Sequence, residues 1–181
     1  MKRIETNIEG CFVIEPNIFK DKRGFFLETF NQNLFSKIAK QKIDFVQDNE
    51  SFSSKGVLRG LHYQEGKHAQ AKLIRVIKGE VLDITVDLRK DSKTFGSYAS
   101  IILSEENKKL LFVPRGFAHG FIVLSDTAIF SYKCDNYYNE ESEKGIIFND
   151  PILNIDWQLP KEEFIISEKD MVLPKFDIAR L

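Results

Sequence analysis

The sequence predicts an all-β protein, built as a sandwich or a jelly-roll barrel with a few short helices. Apolar and polar residues alternate in many segments, and turn residues separate these segments roughly every 8 to 12 residues. Only one segment has the periodicity of a good helix. With 181 residues, 43% of them hydrophobic, the chain is expected to form one globular domain over residues 1–181.

The clearest alternation lies in residues 72–77 and 81–88, which flank a short turn at Gly79. Two strands joined in this way predict a tight β-hairpin. Successive side chains of a strand point to opposite faces. We therefore expect one face of the second strand, with Leu82, to pack in the core and the other, with Asp83, to be polar.

The same design recurs in residues 121–124 and 127–134, which are separated by a Ser-Asp bend. Residues 95–103 and 110–113 supply further predicted strands because they combine apolar and β-branched side chains. Polar residues that point inward on such strands are candidates for a ligand site, since small β-barrels commonly bind ligands between their sheets.

A single α-helix is predicted over residues 31–40. Leu34, Phe35 and Ile38 fall on one stripe of this helix, which should face the core. Asn31 precedes the stripe and is a favourable N-cap residue, because its side-chain oxygen can accept hydrogen bonds from free backbone N–H groups.

Composition limits the partners and the setting of the protein. The net charge of −1 gives no sign of a nucleic-acid partner. No apolar run approaches the roughly 18 residues of a membrane span, and the first residues lack the apolar stretch of a signal peptide. Cys11 and Cys134 stand alone without CxxC spacing, which suits core positions in a reducing compartment. We therefore expect a cytoplasmic protein without membrane contact.

Two histidines lie in short segments bounded by glycine and proline. His62 belongs to residues 56–64 and His119 to residues 114–121, which contain a PxGxxH pattern. Imidazole titrates near working pH, so both residues are candidates for proton transfer or metal binding. PxGxxH also occurs in metal-binding cupins, but a cupin metal site would need a second histidine two residues after His62, where Gln64 stands. We therefore expect no metal.

The residues instead suit acid–base chemistry. His62, Lys72, Asp83, His119 and Tyr132 all lie in strand-like segments. They provide a possible base, a cation for developing negative charge, an acid and an orienting carboxylate.

The chain resembles the dTDP-4-dehydrorhamnose 3,5-epimerase family over nearly its whole length. The stretches that carry this resemblance are residues 21–28, 45–49, 59–64, 68–72, 94–96, 117–121, 132–134, 149–151, 155–157 and 167–170. The resemblance implies a cupin-type jelly-roll barrel and epimerisation of a nucleotide-activated 4-keto-6-deoxy sugar without a cofactor. The substrate implied is dTDP-4-dehydro-6-deoxy-glucose, with inversion at C3 and C5.

Four catalytic roles follow from the resemblance. His62 would remove protons beside the C4 ketone, and Asp170 would orient the imidazole. Lys72 would stabilise the enolate oxygen, and Tyr132 would return a proton on the opposite face of the sugar ring. A single residue would tend to return the proton to the face from which it came, so inversion needs both a base and an acid.

The resemblance also implies eight substrate-binding residues. Arg23 and Arg59 would grip the diphosphate, because a planar guanidinium matches its oxygens. Some residues would contact the nucleotide, partly from the second chain of a homodimer, and others would line the cavity that holds the sugar. These remaining six residues are Glu28, Gln47, Asn49, Asp83, His119 and Tyr138.

Three departures from the family pattern concern Ala71, Arg115 and Phe148, which stand where the family usually has Gly, an acid and Trp. Arg115 reverses a charge near the second histidine segment, so it bears on substrate choice. The alternatives left open are a C3-only epimerase, a related ketoisomerase, an epimerase for another sugar nucleotide such as a GDP-linked 6-deoxy-4-keto-heptose, a metal-dependent cupin enzyme and a non-catalytic binding barrel.

Overall fold

The computed structural model describes residues 1–177, and it consists mainly of two six-stranded sheets that pack face to face. The first sheet contains, in spatial order, β1 (Lys2–Glu5), β2 (Phe12–Glu15), β10 (Leu110–Val113), β7 (Lys72–Lys78), β12 (Thr127–Cys134) and β5 (Gln47–Ser54). All neighbours in this sheet run antiparallel.

The second sheet is also almost entirely antiparallel. It contains, in spatial order, β13 (Glu143–Gly145), β6 (Val57–Gln64), β11 (Phe117–Val123), β8 (Glu80–Asp87) and β9 (Tyr98–Ser104), and β14 (Ile165–Ile166) adds to β6 in parallel. A separate ribbon pairs β3 (Ile18–Asp21) with β4 (Gly24–Leu27). This is the predicted jelly-roll architecture.

Apolar side chains fill three layers. The inner layer lies between the sheets and includes Ile74 from the first sheet and Phe121 from the second. A second cluster covers the outer face of the second sheet and includes Trp157 from the chain after β13. A third cluster joins the outer face of the first sheet to Phe35 of the helix. Since the inner faces of the two sheets pack against each other, polar groups enclosed between them are shielded from bulk water.

Helix α1 (Gln32–Ala39) confirms the predicted helix and its cap. The Asn31 Oδ1 atom accepts hydrogen bonds from the backbone N–H groups of Asn33 and Leu34, each at 3.1 Å. Phe35 is buried, but Leu34 is 39% exposed and does not belong to the buried stripe. The second helix, α2 (Glu168–Met171), was not predicted because one turn is too short to show periodicity.

The predicted hairpin over residues 72–88 is wrong. Strands β7 and β8 lie in different sheets, and Gly79 forms a corner between them. Gly79 has a φ of +77°, and a Cβ atom there would lie 2.0 Å from the Thr127 carbonyl oxygen. Strands β11 and β12 are likewise a corner and not a hairpin. Alternation shows that a strand exists, but it does not show which strand is its partner.

The expected apolar and polar faces of β8 are both present, and both are buried. Every residue from Val81 to Asp87 is buried, including the polar ones. Leu82 packs in the outer cluster of the second sheet, whereas Asp83 points into the barrel. The polar face of this strand is therefore an interior surface.

Both cysteines have free thiols and are buried, as predicted. Burial raises the pKa of Cys11 to about 12 and that of Cys134 to about 11, which keeps both thiols protonated at neutral pH. Within residues 1–177, no helix is long and apolar enough to cross a membrane.

Candidate active site

A cavity of about 740 Å³ opens between the two sheets. Its wall combines residues of β5, β7 and β12 from the first sheet with residues of β6, β11 and β13 from the second, and α2 closes one side. Nine of the twelve predicted site residues line it: Gln47, Asn49, Arg59, His62, Lys72, His119, Tyr132, Tyr138 and Asp170. The sequence-based assignment of one common cavity for these nine residues therefore agrees with the structure.

A bulge in β6 brings Arg59 and His62 to the same wall. In a regular strand, residues three apart point to opposite faces. Here His119 of β11 pairs with His62, and Phe121 pairs with Arg59. Two residues along β11 therefore correspond to three along β6, which defines a β-bulge. The strands approach closely at Gly60, where a Cβ atom would lie 2.6 Å from the Gly120 Cα atom. These glycines permit the bulge, and the bulge turns both side chains inward.

His62 is paired with Asp170 of α2. The His62 Nε2 atom lies 2.6 Å from Asp170 Oδ1, and Asp170 Oδ2 accepts a hydrogen bond from the Gly60 N–H at 3.2 Å. Burial alone would raise the pKa of Asp170, but hydrogen bonds from His62, Gly60 and Ser167 outweigh it and hold the pKa below its ordinary value. The ionised carboxylate accepts the Nε2 proton of His62, so the Nδ1 lone pair is available to act as a base.

Lys72 and Tyr132 come from the opposite wall. They are diagonal neighbours on β7 and β12, because Cys134 is the partner of Lys72 in the register. The Lys72 Nζ atom lies 6.0 Å from the centre of the Tyr132 ring. Burial lowers the pKa of Lys72 and raises that of Tyr132 to about 12. The site therefore holds the Lys72 amine and a protonated Tyr132 phenol across from the His62 imidazole.

His119 forms a second imidazole–carboxylate pair next to the first. It is the register partner of His62, and its Nε2 atom lies 2.8 Å from Asp83 Oδ2. The Asp83 side chain is fully buried and does not line the cavity, which differs from the prediction that it contacts the substrate. Burial raises the pKa of Asp83, and the charges of His119 and Lys72 oppose this effect. Asp83 thus supports the cavity wall from behind His119.

Two charged residues that line the cavity, Glu143 and Lys169, were not among the predicted site residues. Glu143 accepts hydrogen bonds from Lys169 Nζ and, at 2.9 Å, from the Tyr138 hydroxyl. Burial opposes ionisation of Glu143, but these bonds keep its pKa below the ordinary value. Lys169 lies directly before Asp170, and that proximity was a usable signal. Glu143 stands in the charged segment 140–144, where no pattern distinguishes it.

The nucleotide-binding candidates on β5 and β6 form one polar wall. Gln47 Nε2 donates to Asn49 Oδ1 at 3.1 Å, and Gln47 Oε1 accepts from the Tyr138 backbone N–H at 3.0 Å. Arg59 Nε donates to Ser53 Oγ at 3.3 Å, which leaves the other guanidinium N–H groups free for an anion.

Arg23 and Glu28 do not line the cavity of this chain. Arg23 lies on the β3–β4 ribbon, where its side chain is 84% exposed and paired with Asp21. The same ribbon exposes three large aromatic side chains, Phe19, Phe25 and Phe26. Within one chain, the structure does not bring these two residues together with the other ten.

Arg115 also lies away from the cavity lining. Its Nε atom donates to Asp135 Oδ2 at 2.8 Å, so the reversed charge noted in the sequence has a partner on the protein. Across residues 1–177, no group of three or more His, Cys, Asp or Glu side chains is arranged to hold a metal ion.

The sequence can be compared with known proteins at this point. A sequence model of the dTDP-4-dehydrorhamnose 3,5-epimerase family matches residues 5–177. The chain is 50% identical over 176 residues to the dTDP-4-dehydrorhamnose 3,5-epimerase of Shigella flexneri, and the match covers 97% of this chain and 96% of that protein.

Solved structures show the same similarity. The dTDP-4-dehydrorhamnose 3,5-epimerase of Elizabethkingia anophelis is 55% identical with a TM-score of 0.94, over 97% of this chain and 96% of that chain. A Legionella pneumophila dTDP-6-deoxy-D-glucose-3,5-epimerase, solved in complex with dTDP-4-keto-L-rhamnose, is 46% identical with a TM-score of 0.91, over 97% and 98%. These matches confirm the cupin-type jelly roll, and the chain belongs to the dTDP-4-dehydrorhamnose 3,5-epimerase family.

Proposed function

We propose that this chain inverts C3 and C5 of dTDP-4-dehydro-6-deoxy-glucose and so forms dTDP-4-dehydro-rhamnose without a cofactor. The observation that carries this proposal is the placement of His62 on one sheet and of Lys72 and Tyr132 on the other, around one cavity. Family membership supports the substrate class. A non-catalytic binding barrel would have no reason to hold a base, an ammonium and a phenol around one cavity.

The reaction begins with removal of a proton beside the C4 ketone. The His62 Nδ1 atom takes the proton, and the electron pair of the C–H bond moves to form an enolate with its charge on the C4 oxygen. The Lys72 ammonium stabilises that charge in a shielded cavity, where such an interaction is stronger than in water. Asp170 stabilises the imidazolium that forms. A positioned base contributes about 10²- to 10⁴-fold to such a step.

Inversion requires that the proton return from the other face. Tyr132 reaches the cavity from the sheet opposite His62 and is protonated at neutral pH, since its pKa is about 12. The phenol gives its proton to the carbon, and water restores both the phenol and the neutral imidazole. The presence of this acid favours an epimerase over a ketoisomerase.

Isotope incorporation tests this mechanism. In heavy water with a 4-keto-6-deoxy nucleotide sugar, the protein should label C3 and C5, and Tyr132→Phe should lose inversion while keeping some exchange through His62. Label at C3 alone would assign a C3-only epimerase, and no label at either carbon would remove the enolate mechanism. A parallel assay with a GDP-linked 6-deoxy-4-keto-heptose tests the other nucleotide class.

We further propose that the enzyme is a homodimer in which Arg23 and Glu28 serve the cavity of the partner subunit. This would explain why both residues lie outside the cavity of their own chain and why the β3–β4 ribbon exposes Phe19, Phe25 and Phe26. Such a patch usually marks an interaction surface.

Co-expression of two inactive variants tests this arrangement. A dimer of an Arg23→Ala chain and a His62→Ala chain would contain one site with both residues intact, and activity should reappear. If Arg23 serves its own chain, every site in the mixture lacks one residue and activity stays low.

We also propose a cytoplasmic location, which the unpaired, buried cysteines support. Cell fractionation with activity measured in each fraction would test it.

A further inference from the structure

The Arg115–Asp135 ion pair lies at the edge of the first sheet where β10 and β12 end and β7 begins with Lys72. Lys72 is the first residue of β7, and its register partners are Val113, the last residue of β10, and Cys134, the last residue of β12. Arg115 and Asp135 follow these two partners closely in the chain. The ion pair therefore bridges the neighbouring strand ends across the beginning of β7.

Asp135 is bonded directly to the residue that precedes Lys72. Its Oδ1 atom accepts a hydrogen bond from the Ala71 N–H at 2.6 Å, and its backbone N–H donates to the Ala71 carbonyl oxygen at 3.1 Å. The Ala71 carbonyl belongs to the peptide unit that leads into Lys72. Both polar groups of Ala71 are thus held by Asp135, whose side chain is only 10% exposed.

The next residue extends this connection. The Asn136 carbonyl oxygen accepts from Gln70 Nε2 at 2.8 Å, and Asn136 Nδ2 donates to the Lys67 carbonyl oxygen at 2.9 Å. The chain before Lys72 is therefore tied to residues 135–136 at several points. Through its bond to Asp135, Arg115 connects these hydrogen-bonded segments to the turn after β10.

The Lys72 ammonium depends on its backbone for its position. Among the residues that the structure describes, no acceptor lies within hydrogen-bonding distance of Lys72 Nζ, and the side chain otherwise packs near the Tyr132 ring. A lysine stem has four carbons and turns freely unless its base is fixed.

We propose that Arg115 is a positioning residue for Lys72, acting through Asp135 and Ala71. The ion pair fixes the start of β7 and thereby holds the ammonium where the enolate oxygen develops. This inference rests on the proposed function of Lys72. It gives Arg115 a role in the rate of the reaction and not in the choice of substrate.

The test compares Arg115→Gln, Arg115→Lys and a matched control, Lys109→Gln. Lys109 forms an ion pair with Glu15 at the other end of β10, at 3.7 Å. Arg115→Gln should lower kcat about 3- to 10-fold with KM within about twofold, because a small displacement of a catalytic group is costly. Arg115→Lys keeps a donor for Asp135 and should retain at least about half of kcat. Lys109→Gln should leave kcat unchanged.

A double-mutant cycle with Lys72→Ala separates positioning from general destabilisation. Long incubations in heavy water measure the residual exchange of Lys72→Ala. Adding Arg115→Gln to that variant should change nothing further, because the group that Arg115 positions is gone. Multiplicative losses would overturn the proposal, as would an unchanged kcat in Arg115→Gln or equal losses in Arg115→Gln and Arg115→Lys.

The outcomes also separate this inference from the proposed function. If the wild-type protein incorporates no deuterium, the enolate mechanism fails and the positioning role falls with it. If the wild-type protein is active and Arg115→Gln matches it, only the positioning role is overturned. Melting temperatures of all variants check that each is folded, and the half-exposed Arg115 side chain makes a folded Gln variant the expected result.

Discussion

His62 and His119 are neighbours on β6 and β11, and the Nε2 atom of each bonds a different carboxylate. The His62 side chain is 29% exposed and its carboxylate partner, Asp170, is held by a short helix at the cavity edge. The His119 side chain is 9% exposed and its partner, Asp83, is fully enclosed in the barrel. Both imidazoles thus line the cavity, but the carboxylate partner also lines it in the first pair and lies behind the wall in the second.

The number of hydrogen bonds to each carboxylate explains why the two pairs differ. Asp170 accepts bonds from His62 and Gly60 and is stabilised by Ser167, so its pKa lies below the ordinary value despite burial. Asp83 bonds His119, but its Oδ1 atom has no hydrogen-bond partner among residues 1–177, and burial raises its pKa. A carboxylate that stays charged can stabilise an imidazolium. The comparison therefore supports our proposal that His62 is the base and that His119 supports the cavity wall.

Alanine substitution of each histidine should give the largest contrast. His62→Ala should lower kcat by about 10³-fold, because it removes the base. His119→Ala should lower kcat by only about 10-fold, because it removes a wall contact and leaves the base in place. Steady-state kinetics with the dTDP-linked 4-keto sugar would measure both values.

Binding of dTDP provides the control for this comparison. Calorimetric affinities of both variants should stay within about twofold of the wild-type protein, since the nucleotide candidates Gln47, Asn49 and Arg59 lie on other parts of the wall. Equal losses of kcat in the two variants would contradict the division of roles.

The sequence predicted which residues share the cavity better than it predicted how the strands present them. His62, Lys72, Tyr132 and Asp170 were identified because their stretches match a family in order along the chain, and the structure brings all four to one cavity. The bulge that turns both Arg59 and His62 inward could not be predicted, because strand periodicity places residues three apart on opposite faces. The contribution that we propose for Arg23 and Glu28 of a second chain is also outside the reach of periodicity.

The fold, too, could be predicted from the sequence only in part. Alternation located most strands and the helix, and Asn31 identified the cap. The partners of β7 and β8 were wrong because a tight turn at Gly79 serves a sheet-to-sheet corner as well as a hairpin. Alternation also located the apolar and polar faces of β8. It did not show that Asp83 pairs with His119 inside the barrel, because such a long-range partner is not visible in the local pattern.

The pH dependence of the rate sharpens the comparison of Asp83 and Asp170. The alkaline fall of kcat should follow Lys72, because burial lowers its pKa below 10.5 while that of Tyr132 is about 12. The negative charge of Asp83 opposes this lowering. Asp83→Asn should therefore move the alkaline limb of the kcat profile to lower pH, by a fraction of a pH unit.

Asp170→Asn is the matched comparison for that shift. Asp170 is not among the charges that raise the pKa of Lys72, so its substitution should lower kcat and leave the alkaline limb in place. A limb that moves equally in both variants, or in neither, would show that Asp83 carries no charge near Lys72 in the working enzyme.

Thermal stability should give the smallest effect, and its sign should differ between the two carboxylates. The pKa of Asp170 in the folded protein lies below its ordinary value of 3.8, so the stability it provides is present above that value and is lost as the pH falls through the folded-state pKa. The pKa of Asp83 is raised, so its contribution is complete below 3.8 and is lost as the pH rises through the folded-state pKa.

Calorimetric melting temperatures of the wild-type protein and the two Asn variants, between about pH 2 and 7, would measure this difference. The advantage of the wild-type protein over Asp170→Asn should grow as the pH rises, whereas its advantage over Asp83→Asn should shrink. The two trends in melting temperature should therefore have opposite signs. Parallel trends would mean that burial governs both carboxylates alike and that the hydrogen bonds to Asp170 do not set its charge.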